Sequence, residues 1–267
     1  MPAPGDLRVP GRYLSPVSFS APAESYDRFM GRYSSQLAAQ MSDLAGLEEG
    51  GRALDVGCGP GALTGELAAR LGAAAVSAVD PAEQFVAAVR ERYPGVDAQV
   101  ASAEDLPFPD RTFDAALAQL VVHFMADPVR GLSEMARVTR GNGVVVACVW
   151  DHAGGQTPIA PFWRVARAFD PDVDDESELA GGRKGHLGEL FAQAGLHDVE
   201  ETSLPVRGVH ATFEDWWQPF TLGVGPAGSY FQQLDPELQR QIEERCRQNM
   251  RTPITLETRA WAARGVA

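Results

Sequence analysis

One segment constrains the fold more than any other: a short apolar strand that runs into a glycine-rich turn and then into a helix. The strand covers residues 52–56, the turn reads Gly57-Cys58-Gly59-Pro60-Gly61, and Leu63, Leu67 and Leu71 then recur at helical spacing. Glycines at such a turn let bare backbone amides and a helix N-terminus approach a ligand closely. The pattern therefore predicts a ligand site at the carboxyl end of the first strand.

Strands and helices continue in alternation along the chain. Strands are predicted at residues 75–80, 98–101, 113–117 and 144–149, with helices over 82–92 and 128–139. The run at 144–149 is almost entirely apolar, as in strands that are buried on both faces. Alternating β and α units of this length imply an α/β fold with a parallel sheet and helices on both sides.

The rest of the chain divides into an arm, two insertions and two further strands. Residues 1–22 carry five prolines and are predicted to form a loose arm, and residues 23–267 are predicted to form a single domain. Within that domain we expect a ligand-binding core at 46–150, insertions that cap the site at 151–196 and 210–252, and C-terminal strands at 197–209 and 253–264.

Charge and composition exclude several classes of function. The chain has 23 Lys and Arg against 36 Asp and Glu, a net charge of −13, which disfavours a nucleic acid partner. Cys58, Cys148 and Cys246 lack metal-ligand spacing, and the histidines are too scattered for a metal site. No apolar run reaches the roughly 18 residues of a membrane span, and no signal-peptide pattern opens the chain. We therefore expect a cytoplasmic protein with no metal and no membrane partner.

Asp80 ends the second predicted strand and is the first candidate for ligand recognition. A carboxylate at this position can accept hydrogen bonds from two neighbouring ribose hydroxyls. A cap on the following helix is the alternative role, since Asp80 is followed by Pro81. Residues 57–62 also satisfy the Gly-x-Gly-x-x-Ala pattern of nicotinamide enzymes, so the glycines alone leave that class open.

Four ordered motifs make a family resemblance specific. They are residues 54–61 (LDVGCGPG), 79–81 (VDP), 103–108 (AEDLPF) with 112–114 (TFD), and 132–138 (LSEMARV). Together they resemble the class I S-adenosylmethionine-dependent methyltransferases, of the small-molecule, ubiquinone/menaquinone-biosynthesis-like type. The resemblance implies a doubly wound, Rossmann-like sheet of seven mostly parallel strands, with the last strand inserted antiparallel.

The resemblance also implies which residues hold S-adenosylmethionine. Asp55 and the turn Gly57, Cys58, Gly59 and Gly61 would hold its amino acid portion, Asp80 and Pro81 the ribose, Ala103 and Glu104 the adenine, and Gln119 the methionine end. Tyr26 and Arg32 lie on a helix that family members fold over the cofactor. Arg32 could pair there with the cofactor carboxylate, and a surface arginine on an amphipathic helix is the alternative role. Ser102 departs from the family, which often has Asp before the Ala-Glu pair.

The methyl acceptor is expected to be a small, partly apolar molecule. His123 follows the fourth strand and is the candidate base for proton removal; a packed histidine is the alternative. Aromatic residues at helical spacing in the insertions are candidates for the acceptor pocket, although packing in the core is the more common role of such residues. They are Trp163, Trp216, Trp217, Phe220 and Tyr230. Methyl transfer would then proceed by in-line displacement. A nicotinamide-dependent oxidoreductase and a non-catalytic protein that keeps the methyltransferase fold for binding are the competing hypotheses, and oligomeric state is left open.

Overall fold

The described part of the chain forms one twisted sheet that is covered by helices on both faces. The computed structural model describes residues 23–223 and 225–267, with side chains from Met30 onward. Its strands are β1 (Ala53–Val56), β2 (Val76–Asp80), β3 (Asp97–Val100), β4 (Phe113–Gln119), β5 (Thr139–Trp150), β6 (His197–His210) and β7 (Ile254–Val266). The predicted arm over residues 1–22 lies outside the described residues.

Nine helices accompany these strands in the described ranges. They are α1 (Ala23–Ala45), α2 (Ala62–Leu71), α3 (Glu83–Arg92), α4 (Pro128–Val138), α5 (Ala160–Phe169), α6 (His186–Gln193), α7 (Phe213–Thr221), α8 (Gly225–Gln233) and α9 (Pro236–Asn249). The predicted insertion over 210–252 thus contains three helices, α7 to α9. Asp235 separates the last two, because its side chain accepts the amides of Glu237 and Leu238 and begins α9 as an N-cap.

The strand order is β3-β2-β1-β4-β5-β7-β6. All neighbouring pairs from β3 to β5 are parallel, and β7 is antiparallel to both β5 and β6. This confirms the predicted doubly wound sheet with its last strand inserted antiparallel. The order reverses at β1 and β4, and ligands of open α/β sheets bind beside the carboxyl ends of the strands at such a point.

Alternation of side chains across the strands divides the core into two clusters. Helices α1, α2, α5 and α7 to α9 contribute to one cluster, and α4 and α6 to the other. Helix α6 lies inside the 151–196 region that we expected to form a cap. It instead packs its buried side chains Leu187, Leu190 and Phe191 on the sheet, because it is the crossover between β5 and β6. The cap expectation for that region therefore does not hold for α6.

Candidate functional site

The turn after β1 is held against the end of β2 by backbone hydrogen bonds. The amides of Gly57 and Cys58 both donate to the carbonyl of Val79, at 2.8 and 2.9 Å. Gly57 has a φ of +71°, and a Cβ there would lie 2.5 Å from a methyl group of Val121. Gly61 has a φ of +96° at the N-terminus of α2, against Tyr93. Both positions therefore require glycine, as the sequence pattern indicates.

Asp80 links this turn to the beginning of α3. Its Oδ2 accepts the amide of Gly59 at 2.9 Å and its Oδ1 accepts the amide of Ala82 at 2.8 Å. Burial raises the pKa of Asp80 above its usual value, although these two hydrogen bonds oppose the shift. A carboxylate has about four acceptor positions, so Asp80 retains capacity for a ligand. The local turn role and the ligand role are therefore compatible.

A cavity of about 520 Å³ opens at the point where the strand order reverses. Seven of the predicted cofactor residues line it: Gly57, Gly59, Asp80, Pro81, Ala103, Glu104 and Gln119. A smaller cavity of about 30 Å³ shares Gly57, Gly59 and Gln119 with the large one and is also lined by Asp55, Cys58 and Ser34 of α1. The fold thus brings residues from the ends of four strands to two neighbouring cavities that share part of their lining.

Two buried oxygen atoms in the small cavity have no hydrogen-bond partner among the described residues: Oδ1 of Asp55 and Oε1 of Gln119. The other side-chain atoms are bound, since Thr64 Oγ1 donates to Asp55 Oδ2 at 2.6 Å and Gln119 Nε2 donates to the Ser34 carbonyl at 3.1 Å. Buried acceptors without a partner are uncommon in folded proteins. Two of them in residues that line one cavity suit a ligand that carries an ammonium group, as the amino acid end of S-adenosylmethionine does.

Glu104 joins two loops at the opposite end of the large cavity. Its Oε1 accepts the amides of Ala126 and Asp127 at 2.8 and 3.4 Å, and its Oε2 accepts the hydroxyl of Ser102. Partial burial alone would raise the pKa of Glu104, but these hydrogen bonds lower it. Ser102, where the family often has Asp, therefore still has a role, because it holds the Glu104 carboxylate.

Helix α1 covers the small cavity, but Arg32 points to a different partner from the one expected. Its guanidinium donates to both carboxylate oxygens of Asp215 at 3.1 and 2.8 Å and to the Val209 carbonyl at 2.6 Å. Arg32 is thus engaged within the protein, and its pairing with a cofactor carboxylate stays a prediction. Tyr26 lies on α1, but its side chain is outside the described residues.

His123 is buried behind the wall of the large cavity. It lies in the short 3₁₀ turn Val122–Phe124, and Phe124 lines the cavity whereas His123 does not. The rings of His123 and Phe124 are 3.9 Å apart between centroids. Burial, and then the neighbouring His152, hold the pKa of His123 well below its usual range. The imidazole is therefore neutral at neutral pH, and its role as a base stays a prediction.

The five aromatic residues expected in the acceptor pocket are packed in a buried cluster. All of Trp163, Trp216, Trp217, Phe220 and Tyr230 are less than 6% exposed. Phe162 lies among them and stacks on Phe220 with the ring centroids 4.7 Å apart. None of the five lines the two cavities described above. The structure shows them packing against one another, and their contact with an acceptor stays a prediction.

Sequence reasoning missed several residues that line the large cavity: Phe85, Phe124, Met125, Asp127 and Arg130. One local signal was available for this segment. Asp127 precedes Pro128 at the first position of α4 and caps that helix by accepting the Arg130 amide, so the start of α4 was predictable. Its position beside the 102–104 loop was not, because that contact depends on how α4 packs.

The described residues show neither a metal site nor a membrane-spanning helix. Within 23–223 and 225–267, no three His, Cys, Asp or Glu side chains come together as ligands for a metal ion. Across the same ranges, none of the helices combines the length and apolar character needed to cross a bilayer.

Comparison with known proteins identifies the family. Residues 54–147 match the family model described as a methyltransferase domain. The chain is 31% identical over 166 residues to phosphatidylethanolamine N-methyltransferase of Cereibacter sphaeroides, which covers 60% of this chain and 77% of that protein. It is 30% identical over 171 residues to demethylmenaquinone methyltransferase of Tropheryma whipplei. That alignment covers 60% of this chain and 69% of that protein.

The fold is found in solved methyltransferases as well. A phosphoethanolamine N-methyltransferase of Haemonchus contortus, in complex with S-adenosylhomocysteine, superposes with a TM-score of 0.57 at 15% identity, covering 91% of this chain and 56% of that one. Coverage of the curated relatives is uneven: the chain spans 49% of an uncharacterized Streptomyces fradiae protein and 77% of the Cereibacter enzyme. The nicotinamide alternative that the glycine pattern left open finds no support in these matches. The chain belongs to the family of S-adenosylmethionine-dependent methyltransferases.

Proposed function

We propose that the protein transfers a methyl group from S-adenosylmethionine to a small, partly apolar acceptor by in-line displacement. The pair of unpartnered acceptor atoms beside the glycine turn, Asp55 Oδ1 and Gln119 Oε1, carries the proposal. An ammonium group in the small cavity would donate hydrogen bonds to both atoms. A nicotinamide dinucleotide carries no ammonium group. The family supports the same cofactor.

The remaining contacts follow the cavity from that end. We propose that the turn Gly57 to Gly61, with Cys58, holds the amino acid portion. Asp80 and Pro81 then face the ribose, and Ala103 and Glu104 face the adenine. When bound, S-adenosylmethionine supplies a reactive methyl group on a positively charged sulfur. The protein has to align the acceptor with that group and exclude water.

The acceptor class rests on the relatives and on the cavity wall. The two relatives described above are named for a phospholipid and a quinone precursor, both of which carry large apolar groups. Leu120, Val121, Phe124 and Met125 line the large cavity after β4. An apolar wall of this kind favours an acceptor with an apolar part.

Calorimetric titration tests the cofactor class without knowledge of the acceptor. We expect S-adenosylhomocysteine to bind and NAD not to bind. Asp80→Ala should weaken S-adenosylhomocysteine binding by about 1–3 kcal/mol, because charge-assisted hydrogen bonds are lost. Asp97→Asn is the matched control, since Asp97 is an exposed acid on the neighbouring strand β3. Binding of NAD alone, or unchanged affinity in folded Asp80→Ala, would contradict the proposal.

A further inference from the structure

Two buried histidines meet behind the carboxyl ends of β4 and β5. The ring centroids of His123 and His152 are 5.3 Å apart, and the planes are inclined by 57°. Both residues are more than nine-tenths buried, with relative exposures of 9% and 7%. Carboxyl ends of neighbouring parallel strands are where substrates of such sheets bind. The pair therefore lies where an acceptor would have to approach.

Each of these histidines has one ring nitrogen without a hydrogen-bond partner among the described residues, Nδ1 of His123 and Nε2 of His152. Leaving a buried polar atom unpaired costs about 1–3 kcal/mol. Burying two such atoms in adjacent side chains lowers the stability of the fold, and an apolar pair of similar shape would avoid this loss. The observation calls for a ligand that satisfies both nitrogens.

The charges around the pair indicate what kind of group that ligand carries. Asp151, the acid whose charge acts on His152, is already bound by the Arg259 guanidinium at 2.7 Å and by the Gly154 amide at 2.9 Å. Burial keeps the pKa of both imidazoles below the usual value, to about 4 for His152. A neutral imidazole can accept a proton from a hydroxyl group, whereas a cationic amine would find the Asp151 carboxylate already paired with a cation.

Phe124 lies between the large cavity and His123. It lines the cavity, and its ring centroid is 3.9 Å from that of His123. We infer that a change of the Phe124 rotamer would give an acceptor in the cavity access to His123.

We propose that His123 and His152 bind the hydroxyl group of the methyl acceptor, and that this acceptor is a small phenol or enol whose proton passes to His123. The proposal rests on the proposed methyl transfer. The acceptor O–H bond breaks and the proton goes to the His123 imidazole. The oxygen electron pair forms the bond to the methyl carbon, which leaves the sulfur with its bonding electron pair as a neutral thioether. The imidazolium then releases its proton to water.

The test uses the full chain saturated with S-adenosylhomocysteine and two probes of similar size near neutral pH: 4-methylphenol, which is neutral, and benzylamine, which is cationic. We expect the phenol to bind at least tenfold more tightly than the amine, measured by calorimetry. His123→Phe and His152→Phe should each weaken phenol binding at least tenfold and leave S-adenosylhomocysteine binding within twofold. His197→Gln is the control, because His197 is an exposed histidine on β6.

Thermal unfolding separates this role from a structural one. Replacing an unpartnered buried imidazole with phenylalanine should leave the melting temperature unchanged or raise it, so lost phenol binding in a folded variant supports the proposal. The proposal is overturned if the phenol does not bind the wild-type complex, if both probes bind equally, or if the two phenylalanine variants bind the phenol normally. Failure of S-adenosylhomocysteine to bind the wild type would instead contradict the proposed function.

Discussion

Arg32 and Asp215 join helix α1 to helix α7 through a two-point ion pair, with nitrogen–oxygen distances of 2.8 and 3.1 Å. The same network continues inward, where the hydroxyl of Tyr33 lies 2.9 Å from Nε2 of His210. Tyr33 is completely buried, and burial raises its pKa. The helix over the small cavity is therefore fastened to the C-terminal half of the chain by polar contacts that are more than 170 residues apart in sequence.

Breaking this ion pair should destabilise the protein. We expect Asp215→Asn to lower the free energy of unfolding by about 1 kcal/mol, because a two-point pair that is only partly exposed exceeds an ordinary surface pair. Urea unfolding measures the change. Glu189→Gln is the matched control, since the Arg183–Glu189 pair is about half exposed on both sides and should contribute little. Equal effects of the two substitutions would contradict the prediction.

The close approach of Val121 to Gly57 predicts that a substitution at Val121 partly restores the stability lost in Gly57→Ala. Gly57→Ala places a Cβ 2.5 Å from Val121 and adds a side chain at a φ of +71°, so it should destabilise by about 2–4 kcal/mol. Adding Val121→Ala should recover the steric part and leave the backbone part. Gly46→Ala isolates the backbone part, because Gly46 has a φ of +61° with nothing within 4 Å of its Cβ position. If Val121→Ala gave no recovery, the steric cause would be wrong.

Most of the fold was predictable from local pattern, whereas the partners of individual side chains were not. The strand, turn and helix around Asp55 and Gly57 are encoded by adjacent residues, so the turn followed from sequence. The bond between Arg32 and Asp215 could not be predicted, because the two residues are 183 positions apart. The aromatic residues of the insertions were read from helical spacing, which does not distinguish a pocket wall from a buried cluster.

The buried carboxyl group of Asp55 should make stability depend on pH. Burial raises the pKa of Asp55 to about 7, although the Thr64 hydroxyl partly opposes the shift. An unfolded Asp has a pKa of about 3.9. The folded state holds the proton of Asp55 more tightly than the unfolded state does. The stability that Asp55 contributes to the fold is therefore fully present below about pH 4 and is lost as pH rises through about 7.

The substitution Asp55→Asn removes this dependence. We expect the unfolding free energy of the wild type, relative to Asp55→Asn, to decrease between about pH 4 and pH 7 and then to level off. Urea unfolding at intervals from pH 4 to pH 8 measures the difference. Glu176 also has a raised pKa, of about 7, but it is present in both proteins and cancels. Parallel curves for the two proteins would show that Asp55 is ionised throughout.

Glu104 should hold closed the part of the large cavity that it lines, because its carboxylate joins the 102–104 loop to the residues just before α4. In Glu104→Ala the amides of Ala126 and Asp127 lose their acceptor, at a cost of about 1–2 kcal/mol in local opening. Hydrogen exchange at these two amides should therefore accelerate about 5- to 30-fold. Glu91→Ala, at an exposed position on α3, is the control and should leave both amides unchanged. Unaltered protection in Glu104→Ala would mean that packing of α4 alone closes this end.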